Sequence, residues 1–202
     1  MEIFNNRLGP SFHGREYQIE ELIGKGSFGY VYTAWQEEGN YVSPALQHQP
    51  LAIKVYHYSH ASYQRPVLDE IIQMMSIASS PYVAQFFDRS PPREMPEYLV
   101  MEYVPETMQK RLLQLPEEHT LHRIIQLYLR EMPWMLETLS DAGIVHRDLK
   151  LSNVGIKEGH LKLLDFGLAR PVSITSPRAM PHKRIFDPPE MQQGRITPSL
   201  DV

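Results

Sequence analysis

Between Ile144 and Gly167 the chain reads IVHRDLKLSNVGIKEGHLKLLDFG, and the polar side chains in this stretch could do chemistry together. His146, Arg147, Asp148, Lys150 and Asn153 fall on one loop, and Asp165, Phe166 and Gly167 follow after a short predicted hairpin. Asp148 offers a carboxylate that can accept a proton from an incoming hydroxyl. Lys150 offers an ammonium that can neutralise charge on a transferred group. Asn153 and Asp165 carry the oxygen donors that a hard cation such as Mg²⁺ prefers. The chemistry written here is group transfer to a hydroxyl, assisted by a cation.

Other elements must position that chemistry. Around IGKGSFGYVY, Gly24, Gly26 and Gly29 stand in a G-x-G-x-x-G pattern, and glycine lets backbone approach phosphates closely. A dinucleotide-binding fold would place a helix directly after the last glycine. The residues that follow, YVYTAW, are β-branched and aromatic, so a strand–turn–strand flap is expected instead. Next comes a buried-strand pattern, Leu51 to Tyr56, interrupted by Lys54, a charge that needs a partner if buried. After Pro66 the apolar spacing predicts a helix. Val67, Glu70, Ile71 and Met74 share its inner face, while Asp69 and Gln73 lie on the other side. Glu70 is therefore the carboxylate expected to pair with Lys54. VAQFFD and EYLVMEYVPE read as strands, and residues 106–115 and 120–142 as helices, with Pro133 expected to kink or break the second. His119 and His122 read as a solvated pair, because no third metal ligand accompanies them.

The order of these motifs resembles that of eukaryotic-type serine/threonine protein kinases, over residues 17–202. The resemblance implies an α+β, bilobal, protein-kinase-like fold. It would have a small antiparallel β lobe with one key helix, and an incomplete, mainly helical large lobe. The implied organisation is an N-terminal leader at 1–16, small lobe and hinge at 17–104, and a partial large lobe at 105–202. It also implies ATP and Mg²⁺ as cofactors and a protein serine or threonine as acceptor. Nucleotide contacts would fall to Ile23, Gly24, Gly26, Gly29, Val31, Ala52 and Lys54. Met101 would be the gatekeeper, and Glu102 to Val104 the hinge for adenine. Asn153 and Asp165 would hold the metal, and Asp148, Lys150, Lys54 and Glu70 would be the catalytic set. Lys150, two residues after Asp148, matches the serine/threonine branch. Arg147 beside Asp148 implies control by an activating kinase through a phosphate on Ser173, Thr175 or Ser176.

The pattern also departs from the family. The activation segment ends in Pro188-Pro189-Glu190 where Ala-Pro-Glu is usual, and His182-Lys183 replace a Gly-Thr whose threonine supports the catalytic Asp and Lys. Gly155 stands where a larger apolar residue commonly supports the adenine, a loss of about 1 kcal/mol of apolar contact. Leu151 replaces a usual proline. Ser-Leu-Asp-Val at 199–202 resembles the start of the long central helix of the large lobe. On that reading roughly the last quarter to third of a family domain is missing. Asp201 would then lack its helix, Glu190 its arginine partner, and the 120–142 helix part of its apolar cover.

With 42% hydrophobic and 22% charged residues in 202, the composition suits a globular chain with a sizeable core. A net charge of −4 gives no reason to expect nucleic acid or an anionic membrane. There are no cysteines, hence no disulfides and no thiolate metal site, and a cytoplasmic location is expected. The first residues lack the basic flank and apolar run of a signal peptide, and no apolar run approaches spanning length. Two functions compete: a serine/threonine protein kinase, or a non-catalytic short form that binds nucleotide or protein partners. A small-molecule phosphotransferase is disfavoured by Lys150 and by the segment ending in Pro-Glu.

Overall fold

The computed structural model describes residues 7–8, 10–26, 29–37, 43–44, 46–56, 73–77, 79–91, 98–114 and 118–172. They belong to two compact units. The first takes the chain up to 71 together with 84–104, and the second takes 72–83 together with everything from 105 onward.

The first unit is one antiparallel sheet of six strands. In chain order these are β1 (Arg7–Leu8), β2 (Tyr17–Lys25), β3 (Gly29–Gln36), β4 (Leu51–Tyr56), β5 (Phe86–Arg89) and β6 (Tyr98–Glu102). They lie side by side as β1-β2-β3-β4-β6-β5. All six residues of β4 are buried, Lys54 among them, as expected of a central strand whose apolar run is broken only by that lysine. Leu8, Tyr17, Ile19, Ala34, Leu46, Leu51, Ile53, Val55, Tyr98 and Val100 form the core. A fully buried Leu or Ile in it is worth about 2 kcal/mol. Leu46 comes from the 37–50 loop, so that loop supplies a core side chain.

The stretch before Tyr17, expected to be a leader, is part of this unit. Leu8 is buried and pairs with Tyr17. From there the chain reaches β5, at the far edge of the sheet. Phe12 N donates to Arg89 O at 2.8 Å, and a cluster of side chains converges on Asp88, which is fully buried. Its carboxylate accepts from Ser11 Oγ at 2.6 Å, Tyr17 OH at 2.9 Å and Arg15 Nη1 at 3.3 Å, with His13 Nδ1 at 2.9 Å. Residues 11–17 thus tie the first strands of the sheet to its last. Burial alone would raise the Asp88 carboxyl, but the bonds from Ser11, the Arg89 amide, His13 and Tyr17 hold it below its ordinary value. Burial and then the Asp88 charge push the Tyr17 phenol upward.

In the second unit, Glu106–Thr107 form a short strand, β7, rather than the start of a helix. They pair with Ile156 and Gly155, and the helix α1 covers only Met108–Leu113. Thr107 caps it by accepting from Lys110 N at 3.2 Å, so the extended backbone before the cap was free to join a sheet. Helix α2 spans Glu118–Asp141 and continues through Pro133. The helix interior survives because Pro133 and Leu129, the residue whose carbonyl loses its donor, both lie on the exposed side, where water can replace the bond. Ile124, Glu131, Met132, Met135 and Leu139 form its buried face, while Leu121, Ile125 and Leu129 make an exposed apolar stripe. Gly143, with φ 63°, ends the helix in the left-handed region that glycine adopts without strain.

Beyond it lie β8 (Ile144–Val145), a 3-10 turn at Leu151–Asn153, β9 (Val154–Lys157), β10 (His160–Leu163) and β11 (Arg170–Pro171). β7, β9 and β10 form one small sheet, and β8 pairs with β11. The expected hairpin is β9–β10, turned by Glu158 and Gly159 with both φ values positive, as a two-residue hairpin turn needs. Residues 73–76 are helical, with Met74 buried as expected. Gln73, expected on the outer side, is buried too. The two lie about 100° apart around a helix, and a wide inner face holds both.

Candidate functional site

The polar residues singled out from sequence fall into two groups, one in each unit. In the first unit the register aligns several nucleotide-contact candidates. Gly24 faces Val31, Val31 faces Lys54, and Ala52 faces Met101. Direct cross-strand partners share a face, as do residues two apart on one strand. Gly24, Val31, Lys54, Ala52 and Met101 therefore line one side of the sheet. Ile23 and Val104 are half-buried.

The three glycines of the flap are not equivalent. A Cβ on Gly29 would collide with the Val55 carbonyl, so β4 itself excludes a side chain there. Among the described residues, a Cβ at Gly24 would meet nothing closer than Val31 Cβ at 3.5 Å, and one at Gly26 nothing closer than the Gly29 carbonyl at 3.8 Å. Neither has a positive φ. The described residues and the backbone conformation leave Gly24 and Gly26 room for a side chain, so their bareness fits a ligand brought close to the backbone. Gly26 N donates to Gly29 O at 2.9 Å and closes the turn.

Lys54 is buried, only 6% exposed, with its ammonium 5.4 Å from the centre of the Tyr56 ring. It does not snorkel to the surface. Glu70, its expected partner, lies outside the described residues. Glu102 interrupts an apolar strand for a local reason: its amide donates to Gln85 O at 2.8 Å, and its carboxylate accepts from Gln85 N at 3.1 Å.

In the second unit the loop after β8 is held from beneath. His146 is fully buried, its Nε2 lies 3.1 Å from Leu164 O, and its ring meets that of buried Phe166 edge-on at 4.9 Å. Arg147 has φ 66°, an uncommon conformation for a residue with a side chain, and it turns the loop so that Asp148 follows. Asp148 Oδ2 accepts from Lys150 Nζ at 2.9 Å and from Asn153 Nδ2 at 3.1 Å. Asn153 Nδ2 also donates to the Asp148 carbonyl at 2.9 Å. Asp148 is 9% exposed, while the Lys150 side chain is 47% exposed.

Asn153 and Asp165 stand at the two ends of the β9–β10 hairpin. Leu164 N donates to Asn153 O at 2.8 Å, which fixes the two ends against each other. Asp165 has φ 57°, and Gly167 N donates to its Oδ1 at 3.3 Å. Because the Asn153 amide nitrogen is committed to Asp148, the group it presents is Oδ1. Among the described residues no cluster of three or more His, Cys, Asp or Glu could hold a metal. One amide oxygen and one carboxylate suit Mg²⁺, which keeps waters and takes phosphate oxygens in preference to an all-protein cage.

Two buried carboxylates were not singled out from sequence. Asp88 is described above. Glu131 lies on the buried face of α2, where Oε2 accepts from Leu161 N at 2.8 Å; His160 Nδ1 and Arg130 Nη2 lie 3.1 and 2.8 Å from Oε1. Burial would raise its carboxyl, but the bonds from Leu161, Arg130 and His160 hold it low. The available signal was a charged residue at a core position of the helical period, seven after Ile124 and four before Met135.

Residues 17–202 match the protein kinase domain family, and the chain belongs to it. Among curated proteins it is similar to the serine/threonine-protein kinase RIM15 of Saccharomyces cerevisiae, 31% identical over 84% of this chain and 9% of that protein. It is similar to the serine/threonine-protein kinase cek1 of Schizosaccharomyces pombe, 36% identical over 77% of this chain and 11% of that one. The protein kinase MCK1 of Saccharomyces cerevisiae is 30% identical over 89% of this chain and 49% of its own length. The chain thus spans less than half the length of each of these relatives. No helix among the described residues is long and apolar enough to cross a membrane.

Proposed function

We propose that this chain transfers the γ-phosphoryl group of ATP to serine or threonine hydroxyls of proteins. The observation that carries this reading is the Asp148 carboxylate, buried, held by Asn153 and ion-paired to Lys150, in a chain of the protein kinase family.

Gly24, Gly26 and Gly29 would cover the phosphates, and Lys54, with Glu70 as its expected partner, would orient them. Ile23, Val31 and Ala52 pack on the base, beside the gatekeeper Met101 and the hinge Glu102–Val104. Asn153 Oδ1 and the Asp165 carboxylate would hold Mg²⁺, which would supply positive charge against the phosphate oxygens. Asp148 orients the acceptor hydroxyl and takes its proton as the new O–P bond forms. The bond from the γ-phosphorus to the bridging oxygen breaks, and ADP departs with the electron pair. Lys150 neutralises charge accumulating on the phosphoryl oxygens. Phosphorylation of Ser173, Thr175 or Ser176 by another kinase would act through Arg147; those three residues lie outside the described ones.

The test is transfer of label from γ-³²P-ATP and Mg²⁺ to a generic basic protein, with identification of the labelled amino acid. Phosphoserine or phosphothreonine is expected, with no label on small metabolites. Labelled metabolite without labelled protein would overturn the reading. Mg-ATP at one hundred times its dissociation constant should also stabilise the fold by about 2.7 kcal/mol, and Lys54→Met should abolish that shift. A chain that melts later with Mg-ATP yet never labels protein would be a nucleotide-binding module, not a kinase.

A further inference from the structure

We propose that Glu131 is a positioning residue for the cation pair Asn153 and Asp165, acting through the β9–β10 hairpin. The inference rests on the kinase reading for the role of those two residues.

The geometry runs through four steps. Asn153 immediately precedes β9, and Asp165 follows β10 after a single residue. Whatever fixes the hairpin fixes the separation of the two oxygen donors. At its base the hairpin is closed by Leu164 N donating to Asn153 O. Beyond the base, β10 is held from outside the hairpin at two amides: Leu163 N donates to Tyr82 O at 2.7 Å, and Leu161 N donates to Glu131. The Glu131 carboxylate takes the Leu161 amide through one oxygen and approaches the His160 ring with the other. Leu161 pairs with Ile156 across the hairpin, so the hold reaches both strands.

Packing alone would not call for this residue. Glu131 is 4% exposed on a helix face otherwise lined by Ile124, Met132, Met135 and Leu139. An apolar side chain would fill the same space without the cost of burying a charge. A leucine there, however, would leave the buried Leu161 amide without its acceptor. Neither His160 nor Arg130 explains the carboxylate, since their side chains are 66% and 65% exposed. What the carboxylate adds to the Leu163–Tyr82 bond is a second grip on the backbone of β10, four residues before Asp165. Sub-ångström placement of metal-binding oxygens matters for cation affinity, and ligand orientation by outer partners commonly changes it 10- to 100-fold.

The experiment compares full-length Glu131→Leu, Glu131→Gln and Met135→Ala with the parent chain. Met135, one turn further along α2 and 1% exposed, is the control for lost packing without lost grip. Two readouts are taken well below every melting temperature: amide hydrogen exchange at Leu161 to Leu164 without ligand, and the Mg²⁺ concentration for half-maximal ADP binding. Glu131→Leu should exchange at least tenfold faster at those amides and need about tenfold more Mg²⁺. Glu131→Gln keeps an acceptor for Leu161 and should stay within about twofold of the parent on both. Met135→Ala should lose stability with neither readout moved. Equal behaviour of Glu131→Leu and Met135→Ala would overturn the proposal and leave the kinase reading intact. Should Glu131→Leu not fold, Glu131→Met, of similar length and with no oxygen to accept from Leu161, carries the same expectation, and no shift in either readout would overturn the proposal. A parent chain whose ADP binding ignores Mg²⁺ would instead overturn the assignment of Asn153 and Asp165, and this inference with it.

Discussion

Asp88 in the first unit and Asp148 in the second are both buried aspartates, and they are partnered in opposite ways. Asp88 is fully enclosed, and its donors come from four separate side chains of residues 11–17 as well as from the Arg89 amide. Those donors are spent on joining one stretch of backbone to another. Asp148 sits at the rim of burial. Two side chains that donate to it, Lys150 and Asn153, lie within five residues of it. One of them carries a side chain about half in solvent. A carboxylate wrapped by remote donors is a fastener. A carboxylate steadied by its own loop beside a half-exposed ammonium is, on the kinase reading, placed to meet a reactant. Burial alone does not separate the two; the sequence distance to the donors does.

Substitution should split the pair cleanly. Asp148→Asn keeps the shape and the Asn153 contact but removes the base, and phosphotransfer should fall by about 10³-fold, within the range for a lost general base. ATP affinity, read by calorimetry, should change less than about twofold, since a group acting only in the transition state does not alter ground-state binding. Retained turnover would erase the distinction from the Asp148 side. Asp88→Ala should do the reverse. Removing the carboxylate strands the buried hydroxyls of Ser11 and Tyr17, and a loss of about 3 kcal/mol is expected. For a chain of this size that lowers the melting temperature by about 10 °C. Turnover per folded molecule should be unchanged at low temperature. A lost activity with an unshifted melting curve would mean that Asp88, too, belongs to the chemistry.

How legible these two residues were follows from the same distance argument. Asp148, Lys150 and Asn153 sit within one loop, so their relation is written in consecutive letters. The β9–β10 hairpin and the flap were legible for a similar reason, as local turn and strand chemistry. Asp88 looked like the polar end of VAQFFD, because its side-chain donors lie more than 70 residues earlier and only the sheet order brings them near. Ser11 to Arg15 accordingly read as a leader with nothing to do. Glu131 was hidden the same way, its acceptor role depending on a backbone amide 30 residues later. Pro133 does not break α2, which runs on to Asp141. A breaker in sequence is tolerated where the orphaned carbonyl faces water, and which side of a helix faces water is decided by tertiary packing.

The flap repeats the contrast on a smaller scale, between a glycine needed by the fold and one left over for a ligand. Gly29→Ala forces a methyl group against the Val55 carbonyl and should destabilise the chain by about 2 kcal/mol, seen in urea unfolding. Gly26→Ala meets only ordinary contacts and should leave stability within about 0.5 kcal/mol. Its effect should appear in ATP affinity, weakened about fivefold as the methyl group holds the phosphates off the backbone, roughly 1 kcal/mol. Equal stability loss in both variants would show that the flap glycines serve folding alike.

The smallest effect is a pH dependence, and it again sets fastener against base. The Asp88 carboxyl is held below its ordinary value by its donors. A depressed folded value means that the unfolded chain binds the proton more readily. The associated stability is therefore complete above the unfolded aspartate value of about 3.9 and drains away as pH falls through the lower folded value. The melting temperature should be flat with respect to this group from pH 7 to about 5 and fall below about 4. Glu131 is depressed for the same reason and contributes in the same direction, starting from about 4.3. Asp88→Asn should flatten part of the acid limb, and adding Glu131→Gln should flatten more of it. Were the acid limb of the Asp88→Asn chain parallel to that of the parent, the donors around Asp88 would not be stabilising its charge, and its role as the fastener of residues 11–17 would have to rest on shape alone.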